Sequence, residues 1–156
     1  MLILPEAAQI IFAAISPGSS LQGSKLDTAY LEFAVGSGSV IPTPEINPAN
    51  SLAYYAGLAA FPDRDYLRCP ILSHILGTTS SGRPKLTVLI VSDGEVGIHG
   101  KPFSAGSRVY GLAVAAARSN KEQEDIIFGR HYYATTELIE KPSQGGVMLS
   151  FDLSLT

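Results

Sequence analysis

Val147-Met148-Leu149-Ser150-Phe151-Asp152-Leu153-Ser154-Leu155-Thr156 sets Val147, Leu149, Phe151, Leu153 and Leu155 against Met148, Ser150, Asp152, Ser154 and Thr156. A period of two over ten residues is the pattern of a strand with one buried and one wet face. Gln144-Gly145-Gly146 supplies a turn before it. Because the pattern runs to the last residue, that end is expected to be stitched into a sheet.

The same period recurs upstream. Lys85–Ser92 places Leu86, Val88 and Ile90 on one face and Leu89 and Val91 on the other, which reads as a central strand covered on both sides. Ser92-Asp93-Gly94-Glu95 reads as a tight turn. Tyr110–Ala116 alternates Tyr110, Leu112 and Val114 with Gly111, Ala113 and Ala115, whose small size lets another layer approach closely. Alanine would also suit a helix over Val109–Ala117, but Gly106 and Gly111 weigh against it. Asp125–Tyr133 reads as a strand with Ile126, Phe128, Arg130 and Tyr132 facing one way. The charged stretch 117–124 is a surface loop or a single helical turn.

Toward the N-terminus, Gln9–Ile15 and Thr28–Val35 read as strands, with a turn at Ser16-Pro17-Gly18-Ser19-Ser20. Ile41-Pro42-Thr43-Pro44-Glu45-Ile46-Asn47-Pro48 carries three prolines, which cannot donate to a ladder, so it is expected to be an extended arm. Asn50–Ala60 is the one expected helix, packing Leu52, Tyr55 and Leu58. Many short strands between Gly/Pro turns define an all-β chain, expected as a single β-sandwich or jelly-roll-like domain over residues 1–156.

Composition narrows the function classes. Charged residues are only 16% of the 156, below the ~25% of ordinary soluble domains, which suggests that partners cover part of the surface. A net charge of −3 argues against nucleic acid. Met1–Glu6 lacks a basic n-region, and no apolar stretch nears the ~18 residues of a membrane helix. A chain made and working without a membrane is expected.

No recognised catalytic or metal pattern occurs. His74, His99 and His131 are widely spaced, and the lone Cys69 precedes Pro70 in an apolar stretch that would bury it. Asp63-Arg64-Asp65-Tyr66-Leu67-Arg68 interleaves acids with bases, which favours ion pairs, internal or between subunits, over a carboxyl poised for acid–base work. It is read as leading into a strand, Tyr66–Ile71. Gly97-Ile98-His99-Gly100-Lys101-Pro102-Phe103-Ser104 lacks the spacing of a phosphate loop and has Pro102 where Ser or Thr would bind magnesium. It reads as an exposed contact loop, with His99, Lys101 and Phe103 as candidate interface residues. Ile41, Pro42, Pro44 and Ile46 of the arm, and Asp63, Arg64, Asp65 and Arg68, complete that candidate set. No catalytic residue and no cofactor is assigned.

Tyr66–Ile71, Gly97–Ser104, Val109–Gly111 and Asp125–Tyr133, in this order and spacing, resemble small β-rich virion proteins of tailed bacteriophages, over roughly the C-terminal three-fifths of the chain. The resemblance implies a structural, cofactor-free protein of the virion, made in the host cytoplasm. Its leading role would be a head decoration (cement) protein, a homo-oligomer, trimeric in one form, contacting the major capsid protein; a tail, adaptor or fibre role is the nearest alternative. Two other classes stand beside it. A carbohydrate-binding module would use Tyr54, Tyr55, Tyr132 and Tyr133 as a sugar platform, although Trp is absent. An enzyme would need Asp63, Asp65 and a histidine to converge.

Overall fold

The computed structural model describes residues 2–3, 7, 10–11, 18, 25–36, 51–90, 95–134, 137–144 and 147–152. The chain is mostly β. Strands β1 (Leu2–Ile3), β2 (Thr28–Ala34), β3 (Arg64–Pro70), β6 (Arg108–Ala116), β7 (Ile126–Tyr132) and β8 (Ile139–Glu140) form the larger sheet. Its order is β1-β7-β6-β2-β3, with β8 pairing the start of β6, and every pairing is antiparallel. Strands β4 (Ser73–Thr78), β5 (Pro84–Ile90) and β9 (Val147–Asp152) form a second antiparallel sheet in the order β4-β5-β9. The expected helix is present as α1 (Ser51–Gly57), extended by a 3-10 turn at Leu58–Ala60.

The alternation of large and small residues along β6 decides how the larger sheet is covered. Register aligns Leu112 with Leu31 and Val114 with Ala29, which in turn face Leu67 and Cys69 on β3. These side chains form a hydrocarbon core with Phe33, Phe103 and Val109. Gly111 and Ala113 occupy the other face, opposite Glu32 and Tyr30. There the small residues leave room for rings, and Tyr30, Tyr55, Leu58, Tyr66 and Ile127 pack over Ala113 and Ala115 beneath α1. All seven residues of β2 are buried, so this strand is covered on both faces.

The smaller sheet has a simpler origin. Thr79 and Arg83 close the β4–β5 hairpin by a backbone hydrogen bond of 2.8 Å, and Gly82 sits in the turn at φ +79°. Register aligns Leu76 with Leu86 and Phe151, and His74 with Val88 and Leu149. The expected C-terminal strand is paired over Val147–Asp152, its last four residues, 153–156, lying outside the described ones, and β5 is central between two neighbours.

Several expectations are corrected. Ile10 and Ile11, read within a strand Gln9–Ile15, are helical; Ala7, Ile10 and Ile11 have the i, i+3, i+4 spacing of one helix face. Strand β3 begins at Arg64, so the charged run, apart from Asp63, lies within the strand rather than before it. A register shift between Val114 and Ala115 breaks the expected alternation of β7. Ile127 therefore packs with the tyrosines while Phe128 packs against the hydrocarbon core. Strand β4 carried no period-two signal. The two sheets are not closed into a barrel.

Candidate functional site

The most unusual chemistry of the described fold lies between the larger sheet and α1. Glu32 and Arg130, on β2 and β7, are 0% and 1% exposed. Arg130 Nε donates to Glu32 Oε1 at 3.1 Å and to the Tyr55 hydroxyl at 3.0 Å, and its Nη2 lies 3.1 Å from the same carboxylate oxygen. The guanidinium sits over the rings of Tyr54 and Tyr55, 3.9 and 4.3 Å from their centroids, where the ring quadrupoles favour a cation. A β-carbon at Gly111 would collide with the Glu32 carboxylate, so glycine is what admits the acid to this layer. Burial pushes the Glu32 carboxyl above the usual range, against the pull of Arg130.

Around this pair, Glu32 Oε2, Arg130 Nη1 and the hydroxyls of Tyr54, Tyr110 and Tyr132 are buried without a hydrogen-bond partner among the described residues. Tyr110 stacks on Tyr132 at 6.4 Å, and Arg64 lies over the Tyr110 and Phe61 rings. The cluster offers one carboxylate oxygen, one guanidinium N–H group and three phenols, a set suited to internal water. It contains no recognised nucleophile–base pair.

A second charged knot secures the opposite end of the tyrosine layer. Arg68 forks onto Asp125 at 2.5 and 2.7 Å and also donates to the Ser119 carbonyl at 3.0 Å. The Tyr30 hydroxyl donates to Asp125 at 2.6 Å, and the Tyr66 hydroxyl to Glu122. Glu122 belongs to a 3-10 turn, Glu122–Glu124, so these bonds fasten the loop before β7 onto β2 and β3.

Asp65 serves a third purpose. Its carboxylate accepts the backbone N–H groups of Tyr66 at 2.8 Å, His99 at 3.0 Å and Lys101 at 3.0 Å. A β-carbon at Gly97 would collide with it. The 97–101 loop is therefore wrapped around a buried carboxylate, and Gly100 turns it at φ +90°. His99 turns its ring away, with Nε2 2.8 Å from the Tyr55 carbonyl oxygen.

The sequence-predicted residues are thus scattered. Ile41, Pro42, Pro44 and Ile46 lie outside the described residues. Asp65 and Phe103, read as contact residues, are 0% and 1% exposed and belong to the chain's own interior. Arg68 pairs with Asp125, not with the neighbouring acids. His99 and Lys101 present backbone to Asp65, and Asp63 gives its carbonyl to the Val35 N–H. The four tyrosines proposed as a sugar platform do not form one: Tyr55 is fully buried, and Tyr133 packs in the hydrocarbon core. Sequence reasoning missed Glu32 and Arg130. The available signal was a charge of each sign placed inside strands apolar on both faces, Tyr30-Leu31-Glu32-Phe33 and Phe128-Gly129-Arg130-His131.

Among the described residues no group of three His, Cys, Asp or Glu side chains is arranged to hold a metal. No helix among them is long and apolar enough to cross a membrane. An open cleft of about 560 Å³ lies between Gly36, the 104–107 turn, Arg108 and Glu140. Comparison of the chain with protein-family models, curated proteins and solved structures finds no match.

Proposed function

We propose that the chain is a structural protein of a bacteriophage virion, in the first instance a head decoration (cement) protein that stabilises the capsid through homo-oligomeric contacts. In this reading its two sheets act as the layers of a β-sandwich of jelly-roll type, and its role is non-catalytic. One observation supports it above the others. The buried charges Glu32, Asp65, Asp125 and Arg130 are all engaged in fastening strands and loops, while Leu72, Ile75, Val96 and Ile98 are each more than half exposed. A fold that spends several charges on internal fastening and shows branched apolar side chains outside suits lasting contact with other proteins.

Mass spectrometry of purified particles from a phage encoding the chain tests this. A decoration protein is expected in the head fraction at a copy number comparable with the major capsid protein. A few copies in the tail fraction would favour the tail, adaptor or fibre role. Absence from the particle would overturn the virion reading altogether.

A further inference from the structure

The two sheets treat their edges differently. At the edge of the larger sheet, β3 carries Arg64, Asp65, Arg68 and Pro70, and the Ile98 N–H crosses to bond the Tyr66 carbonyl at 3.0 Å. Charge, proline and a covering loop are the usual guards against strand addition. Strand β4, Ser73-His74-Ile75-Leu76-Gly77-Thr78, carries neither charge nor proline. Its only strand neighbour among the described residues is β5, so the amide and carbonyl groups on its outer side line a sheet edge. Ile75, at 67% exposure, and Leu72, at 57%, are among the most exposed large apolar residues of the described fold.

We infer that β4 is the docking edge for a second copy of this chain, added antiparallel so that two three-stranded sheets become one of six strands. Charge favours this occupant over a charged partner. Leu72–Thr78 contains no lysine, arginine, aspartate or glutamate, so two identical edges meet without repulsion and with no charge left for an oppositely charged partner to neutralise. Symmetry is compatible with it as well. A two-fold axis perpendicular to the sheet at Ile75 sets Ile75 opposite its own counterpart and His74 opposite Leu76, keeping each residue type on its own face. The cross-strand Ile75 pair then shields two exposed side chains at once. Backbone pairing of this kind is strand addition to a sheet edge.

The identity of the partner deepens the assembly reading above and rests on it. Two short edges bury less than the ~1,200 Å² of a stable specific interface, so the dimer should dissociate on dilution. Analytical ultracentrifugation across a dilution series is expected to show a monomer–dimer equilibrium, abolished by Ile75→Lys and kept by Ile75→Val, with unchanged circular dichroism. Hydrogen exchange of the unsubstituted protein supplies a reading that needs no variant: the amides of His74, Leu76 and Thr78, which the hairpin register turns away from β5, should slow as concentration rises. A monomer at every concentration, a trimer or larger species, or a dimer that survives Ile75→Lys would overturn the inference. Particle incorporation without a solution dimer would sink this inference alone, and a dimer without incorporation would sink the virion reading alone.

Discussion

The two faces of the larger sheet are comparably buried but held by different forces. On one, Leu31, Phe33, Leu67, Val109, Leu112 and Val114 pack as hydrocarbon. On the other, Tyr30, Tyr55, Tyr66 and Tyr110 are equally buried, and their hydroxyls lie among Glu32, Arg130, Arg68 and Asp125. The hydrocarbon face asks only for volume and tolerates small losses of it. The tyrosine face asks for particular atoms in place, because a buried charge or hydroxyl that loses its partner keeps its full desolvation penalty. One sheet therefore joins a compliant layer to a brittle one.

Alkaline titration should give the largest effect and breaks the comparison most directly. Burial raises the folded-state phenol of Tyr30, Tyr55, Tyr66 and Tyr110 above its ordinary value. A group raised in the folded state contributes stability that is fully present below its unfolded pKa of about 10 and is lost as pH rises beyond it. Each such phenol then removes about 1.4 kcal/mol per pH unit, against a total stability of about 5–15 kcal/mol. Tyrosinate absorbance is expected to stay flat until the fold fails, then to rise in one step with loss of circular dichroism within about one pH unit above 10. Gradual ionisation near pH 10 in a protein that keeps its native spectrum would show the tyrosine face to be open to water.

Next in size is the ion pair. Glu32→Ala leaves Arg130 as an uncompensated buried cation and should cost about 3–5 kcal/mol in urea unfolding. The double change Glu32→Met with Arg130→Met should lose less than the single change, because no orphaned charge remains. Leu112→Ala, at the centre of the other face, should cost about 2–5 kcal/mol by leaving a cavity, with the tyrosine layer intact. Equal losses for the single and double charge substitutions would mean that the pair acts by packing alone, and the contrast between faces would collapse.

The sequence made the hydrocarbon face legible and the tyrosine face largely not. Leu31 and Phe33, or Leu112 and Val114, announce themselves by a period of two, which needs only neighbours in the chain. Glu32 meeting Arg130 depends on register across three strands and on Gly111 yielding space, information that no local pattern holds. The bulge in β7 likewise reassigns Ile127 and Phe128 through pairing rather than composition. Asp65 shows the same limit. An acid between two arginines reads as an ion pair, yet alternation sends it to the opposite face, where backbone N–H groups of a loop 34 residues away satisfy it. Strand β4 escaped because Ser73, His74 and Gly77 dilute its apolar pattern, while its hairpin partner β5 was plain.

The smallest expected effect sharpens the comparison from the compliant side. Cys69 lies on the hydrocarbon face of β3, 5% exposed, and its Sγ makes a weak contact to the Ala29 carbonyl at 3.8 Å. Burial pushes the thiol up to about 12. At pH 8 about one molecule in ten thousand would carry the reactive thiolate, so a disulfide reagent should label the native protein only through opening of the fold. Cys69→Ala removes one buried sulfur without orphaning a charge and should cost about 1 kcal/mol. Labelling in the unsubstituted protein then measures how often β3 leaves the sheet edge, since opening energies are lowest where a strand has one neighbour. If Glu32→Ala speeds that labelling far more than Leu112→Ala does at matched stability, the brittle face governs the opening of β3. If the two variants speed it alike, both faces open as one unit, and the division between them holds for energetics but not for motion.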